Sequence, residues 1–190
     1  VRALAKGPVS VSAGINMRAE TKRTLRRMRG PAVFIVYYAD SETLDLTDGA
    51  PNVAGVVAVP VYRGQADGWA ERWNVSIHGQ VRQAPAPLID DPVVVRALEE
   101  LTQAINLSTG LIHPQDKVMA DEILRILRVK GHADPTQKMR SWAIRNGWNP
   151  KHAVKLEALS HRVWSLKNKP RLSKFQNPRE RYRRWLKGDY

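Results

Sequence analysis

Cationic forks and aromatic faces crowd the end of this chain. Arg171, Lys174, Arg179, Arg181, Arg183, Arg184 and Lys187 fall in its closing stretch, and Trp142, Trp148, Trp164 and Trp185 are four of its six tryptophans. A guanidinium offers forked donors that match phosphate oxygens, and an aromatic face can stack on a base. Each phosphate neutralised releases counterions, which makes such binding strongly salt dependent. Trp142, Trp148 and Trp164 fall where helices must pack and read as core residues instead. The same signal recurs near the other end, in Arg18, Lys22, Arg23, Arg26, Arg27 and Arg29. On a helix over residues 17–29 these would cover nearly the whole circumference and leave Met17, Leu25 and Met28 as a thin apolar stripe. That stripe is too narrow for burial in a membrane surface, so nucleic acid, RNA or DNA, is the expected partner at both ends.

A second chemistry is suggested by the carboxylates of the middle. Asp40 and Glu42 follow directly on an apolar run, with Asp45 and Asp48 close behind. Joined by acids from helices, such as Glu99, Glu100, Asp116, Asp121 or Glu122, they could hold Mg²⁺ for two-metal phosphodiester hydrolysis. Ordinary turn and helix-start chemistry also favours Asp and Glu at such places. Other templates are missing: there is no G-x-S-x-G elbow, P-loop, G-x-G-x-x-G or H-E-x-x-H. His78, His113, His132, His152 and His161 show no metal-ligand spacing, so no metal site is assigned. With no cysteine, a thiolate zinc site, an iron–sulfur cluster and a Cys nucleophile are excluded together.

Leu46-Thr47-Asp48-Gly49-Ala50, followed by an apolar strand ending Val61-Tyr62-Arg63-Gly64, resembles the opening hairpin of ribonuclease-H-like nucleases. Val129-Lys130-Gly131-His132-Ala133 is similar to the histidine loop before the last helix of that family. The resemblance implies a Mg²⁺-dependent nuclease in which Asp48 or Asp40 holds metal and His132 assists product release. Where that family carries a further metal-binding acid, this chain has Ser141-Trp142.

The elements that must position these groups can be read from apolar periodicity. Ala32–Ala39, Val53–Tyr62 and Arg72–Gln80 have strand character, and the turn signals between them predict an antiparallel meander of about three strands. Ala84–Pro92 holds three prolines and reads as a linker. Asp91 then caps a helix with Pro92 at its first position, and further helices are predicted over 114–129, 134–147 and 150–168, with a short last one opening at Asn177-Pro178. The expected class is α+β: a small sheet in 31–83, helices in 91–168, a basic arm in 1–30 and a basic tail helix in 169–190.

The formal net charge is +13 over 190 residues, but it is unevenly spread. Residues 1–30 and 131–190 are strongly cationic, whereas 31–130 carry more acids than bases. No apolar run reaches the roughly 18 residues of a membrane span, and Val1–Gly30 lacks the continuous apolar core of a signal peptide, so the cytoplasm is expected. These features predict a nucleic-acid-binding protein, a subunit of a nucleoprotein complex that holds phosphate backbone through basic segments. The alternatives are the nuclease above and an assembly protein whose acidic middle meets basic ends. No cofactor is expected beyond Mg²⁺ in the nuclease case.

Overall fold

Two runs rich in β-branched residues, Ala32–Tyr37 and Val53–Val59, form strands β3 and β4, and they pair in parallel from Ala32 opposite Val53 to Tyr37 opposite Val59. A computed structural model describes residues 7–12, 14–25, 30–81 and 84–189. They belong to two compact units, Val1–Gln65 and Ala66–Tyr190. The architecture is mixed α+β, with little sheet and most of the helix in the C-terminal half.

In the first unit, strands β1 (Val9–Ser12) and β2 (Ile15–Met17) form a small antiparallel hairpin around Gly14, whose φ is +78°. Parallel strands cannot be joined by a tight turn, and helix α1 (Ser41–Asp48) makes the crossover between β3 and β4. Asp40 starts α1 by accepting a hydrogen bond from the Thr43 amide at 2.7 Å, and the Gly49 amide closes it on Asp45 and Thr47. Phe34 and Val36 point inward, as do Ala39 and Leu44. Val33, Ile35, Tyr37, Val57 and Tyr62 are exposed.

Three sequence expectations are corrected here. The sheet is not an antiparallel meander: β3 and β4 are parallel, and Asp48–Asn52 ends a helix instead of turning a hairpin. The likeness to an antiparallel opening hairpin of ribonuclease-H-like type goes with it. Residues 72–80 form no strand; helix α2 (Asp67–Trp73) runs into them, stopped by Asn74 in the left-handed conformation, and Ile77 is exposed, with no strand among the described residues paired to it. Of the helix expected over 17–29, Met17 instead ends β2 and Thr21–Leu25 make a turn, while 26–29 lie outside the described residues.

The second unit matches its reading more closely. Helix α3 (Pro92–Ala104) is capped by the Asp91 carboxylate on the Val93 and Val94 amides. Helix α4 (Pro114–Lys130) ends at Gly131, where φ is +88° and a β-carbon would be strained. Helices α5 (Thr136–Arg145), α6 (Pro150–Trp164) and α7 (Pro178–Lys187) follow. One apolar core joins them, built from Leu98, Leu101, Ile123, Leu127, Met139 and Leu156 among others. Trp142 and Trp148 are buried in it and Trp164 packs against it, as their helical setting predicted. Leu88 and Ile89 of the proline-rich linker are buried on the same core. Among the described residues no helix is long and apolar enough to cross a membrane.

Candidate nucleic-acid interface

The arginines of α7 divide into those that hold the helix down and those that face outward. Trp185 is completely buried, and its indole Nε1 donates to Glu100 of α3. Arg181, one turn earlier, puts its Nε 2.8 Å from the same carboxylate and a terminal nitrogen 3.3 Å from Glu122 of α4. Its side chain is 14% exposed, so this guanidinium is committed to two carboxylates instead of offered to phosphate. Arg184 lies 3.8 Å from Glu100, and Arg183 pairs with Glu180 within its own helix at 2.6 Å. Arg183 keeps an exposed side chain, and its partner Glu180 is held below the usual carboxylate range chiefly by that bond. From α3, Arg96 caps the far end of α7 by donating to the Trp185 and Leu186 carbonyls at 2.8 and 3.1 Å. Arg171, Lys174, Arg179 and Lys187 are exposed. The basic tail helix is thus docked on the helical core, with a basic outer face.

His132 also serves this docking. Its Nδ1 lies 2.6 Å from Asp91 Oδ2 and its Nε2 lies 3.1 Å from the Tyr182 hydroxyl of α7. Burial pushes the Asp91 carboxyl up, but the bonds from His132 and from the Val94 and Val93 amides outweigh it and hold the group below its ordinary value. An ionised carboxylate only accepts, so Nδ1 carries the proton and, in the neutral ring, Nε2 accepts from Tyr182. Lys130 Nζ sits 4.7 Å from the centre of the Tyr182 ring, a cation–π contact. Asp91→Ala removes a helix cap and this bond together and is expected to destabilise the helical unit by about 2 kcal/mol at neutral pH. Because the folded-state pKa is lowered, that stabilisation is present above the ordinary aspartate value of roughly 3.9 and is lost as pH falls below it. Urea melts of wild type and variant should therefore differ at pH 7 and converge toward pH 3.

The sequence-selected carboxylates have structural work. Asp40 is the α1 cap, and Thr43 holds its carboxyl below the usual range. Asp48 ends the same helix, eight positions on and roughly 12 Å away at 1.5 Å per residue. Among the described residues, no group of three or more His, Asp or Glu is placed to hold a metal ion. In the basic arm, Arg18 pairs with Glu20 at 2.6 Å and Lys22 with Glu42 at 2.8 Å, which raises the Lys22 ammonium pKa. Arg23 is exposed. Arg26, Arg27 and Arg29 lie outside the described residues.

A basic surface that sequence reading passed over lies on α6. At 100° per residue, His161, Val154, Ala158, Lys151, Arg162 and Lys155 fall within a stripe about 120° wide, and all six are exposed. Ala153, Leu156, Leu159, Ser160 and Val163 occupy the opposite, buried side. The stripe contains no acid of its own, and the exposed Lys167, Lys169, Arg171 and Lys174 follow in the connection to α7. Arg162 is drawn aside, to Asp121 of α4 at 3.2 Å. The legible signal was the spacing Lys151, Lys155, Arg162 on a helix whose other side is apolar.

No curated protein and no solved structure matches the chain. The model of one family, the domain of unknown function DUF1889, matches residues 90–186, just over half of the chain. The match begins beside the Asp91 cap and runs through α3, α4, α5 and α6 into α7, ending one residue past Trp185. On that match the chain belongs to the DUF1889 family.

Proposed function

We propose that this protein binds nucleic acid by its phosphate backbone and works as a subunit of a nucleoprotein complex. The observation that carries the reading is the division of cations in the helical unit. Arg96, Arg128 and Arg181 are spent on carbonyls and carboxylates within the fold. Lys151, Lys155, Lys167, Lys169, Arg171 and Lys174 stand exposed on α6 and the segment after it. Such a surface supplies affinity with little sequence preference. Filter binding of the full chain to labelled RNA and DNA across a salt series should show log affinity falling linearly with log salt. A flat response near physiological salt would sink the reading.

A protein partner in that complex is favoured by the exposed apolar side chains of the first unit. Val33 and Tyr37 are 63% and 68% exposed on a parallel strand, a class of sheet that is ordinarily covered on both faces. Light scattering should detect association at low and at high salt; a monomer throughout would argue against it.

A further inference from the structure

We infer that two copies of this chain dimerise by exchanging their N-terminal hairpins, each β1–β2 pair covering the open face of the other copy's β3–β4 sheet. The inference rests on the protein-partner reading above and names that partner as a second copy.

The hairpin is two-sided. Val9 pairs with Met17 and Ser10 with Asn16, and residues opposite one another share a side. Ile15, two positions before Met17, joins the apolar side. Val11 lies where the register shifts opposite Ile15 and joins it too. Ser10 and Asn16 take the other side. The apolar side is nevertheless uncovered: Val11 and Ile15 are 59% and 60% exposed, and Met17 is exposed as well. A two-stranded hairpin with nothing packed on its apolar side is at best marginally stable in water.

The sheet has the matching defect. Its register sets Val33 beside Gly55, Ile35 beside Val57 and Tyr37 beside Val59, so these six share one face. Val33, Ile35, Tyr37, Val57 and Val59 are all exposed. On the opposite face Phe34 and Val36 are buried, as is Leu44 of α1, the helix that packs on both strands. Two sheets packed face to face would bury both open surfaces at once.

Within one copy these surfaces are held apart. Lys22 bonds to Glu42 of α1 at 2.8 Å, and Leu25 is buried. The chain leaving the hairpin is thus anchored on the α1 side of the sheet, away from the open face. A second copy removes that conflict, and a two-fold axis makes the exchange reciprocal and closed. Charge permits it: strands β1 to β4 contain no charged residue, so two cationic chains bring no like charges into the contact. Arg18, next to the hairpin, is paired with Glu20. From the exposed fractions, one hairpin on one sheet removes roughly 750 Å² of surface, less than a specific interface needs. The reciprocal pair removes about 1,500 Å², which is the standard size.

The test uses the full chain at high salt, where surface charge is screened and apolar contact persists. Sedimentation velocity should show a concentration-dependent dimer. Ile15→Lys on the hairpin and Ile35→Glu on the sheet change exposed side chains. Each should weaken the dimer at least about a hundredfold, with the circular dichroism unchanged. Mixed in equal amounts, the two variants should dimerise to within about tenfold of wild type, because one contact then opposes the two introduced charges and the other is unaltered. A dimer that survives Ile15→Lys, or no recovery on mixing, would overturn the exchange and leave the open sheet face to a different protein. A dimer unaffected by Ile35→Glu, or a wild-type monomer at every concentration, would remove the protein-partner reading as well.

Discussion

Trp185→Ala is expected to destabilise the helical unit by about 3–5 kcal/mol, the cost of emptying a site filled by a buried aromatic side chain. Trp185 is wholly buried, in the core that also holds Leu98 and Leu101. Its loss also removes one of the donors that satisfy Glu100, and a half-buried carboxylate left short of partners adds to the cost. All six tryptophans belong to Ala66–Tyr190, so intrinsic fluorescence in a urea titration reports this unit alone. Removing residues 171–190 should do still more damage, because the cap from Arg96 and the bond from His132 to Tyr182 go too. A truncated chain that unfolds like wild type would show that α7 is an appendage.

Arg181→Met should cost about 3 kcal/mol, because it leaves Glu100 and Glu122 facing one another without the cation between them. The partners are only 15% and 14% exposed, so water screens them poorly. Arg181→Lys keeps the charge but loses the fork that reaches two carboxylates, and it should fall between wild type and Arg181→Met. Adding Glu122→Gln to Arg181→Met should recover part of the loss, a coupling that a double-mutant cycle measures directly. Additive losses would mean that the two side chains do not interact. In the folded state neither change should alter nucleic-acid affinity by more than a small factor, which separates Arg181 from the outward cations.

The helical half was legible because its signals are local. Asp91-Pro92, Asn149-Pro150 and the apolar spacing of Val94, Leu98 and Leu101 each fix a helix without reference to the rest of the chain. The sheet depended on which strand lies beside which. The runs Ala32–Ala39 and Val53–Tyr62 hold strands over Ala32–Tyr37 and Val53–Val59, but Asp40, a candidate metal ligand by sequence, caps a helix, and α1 occupies a stretch whose residues carry turn signals. The alternation of Trp73, Val75 and Ile77 is real, yet a strand needs a partner and α2 consumes its first residues.

Arginine roles were hidden for a related reason. Arg179, Arg181, Arg183 and Arg184 are indistinguishable as a run, and only the arrival of Glu100 and Glu122 from 59 to 81 positions away makes one of them structural. His132 followed the same course, its nearest polar partners being Asp91 and Tyr182, 41 and 50 residues distant. The α6 stripe needed no such knowledge, and its spacing alone would have found it.

The most direct measurement of the central claim is the salt dependence of nucleic-acid binding by Lys151→Glu/Lys155→Glu/Lys167→Glu/Lys169→Glu beside wild type. These four lysines are exposed, so the fold should survive their reversal. If they hold phosphate, the slope of log affinity against log salt should fall by about 3–4, and affinity at physiological salt should drop roughly a hundredfold or more. An unchanged slope, with binding as tight as wild type, would contradict the account and place the interface elsewhere on the protein.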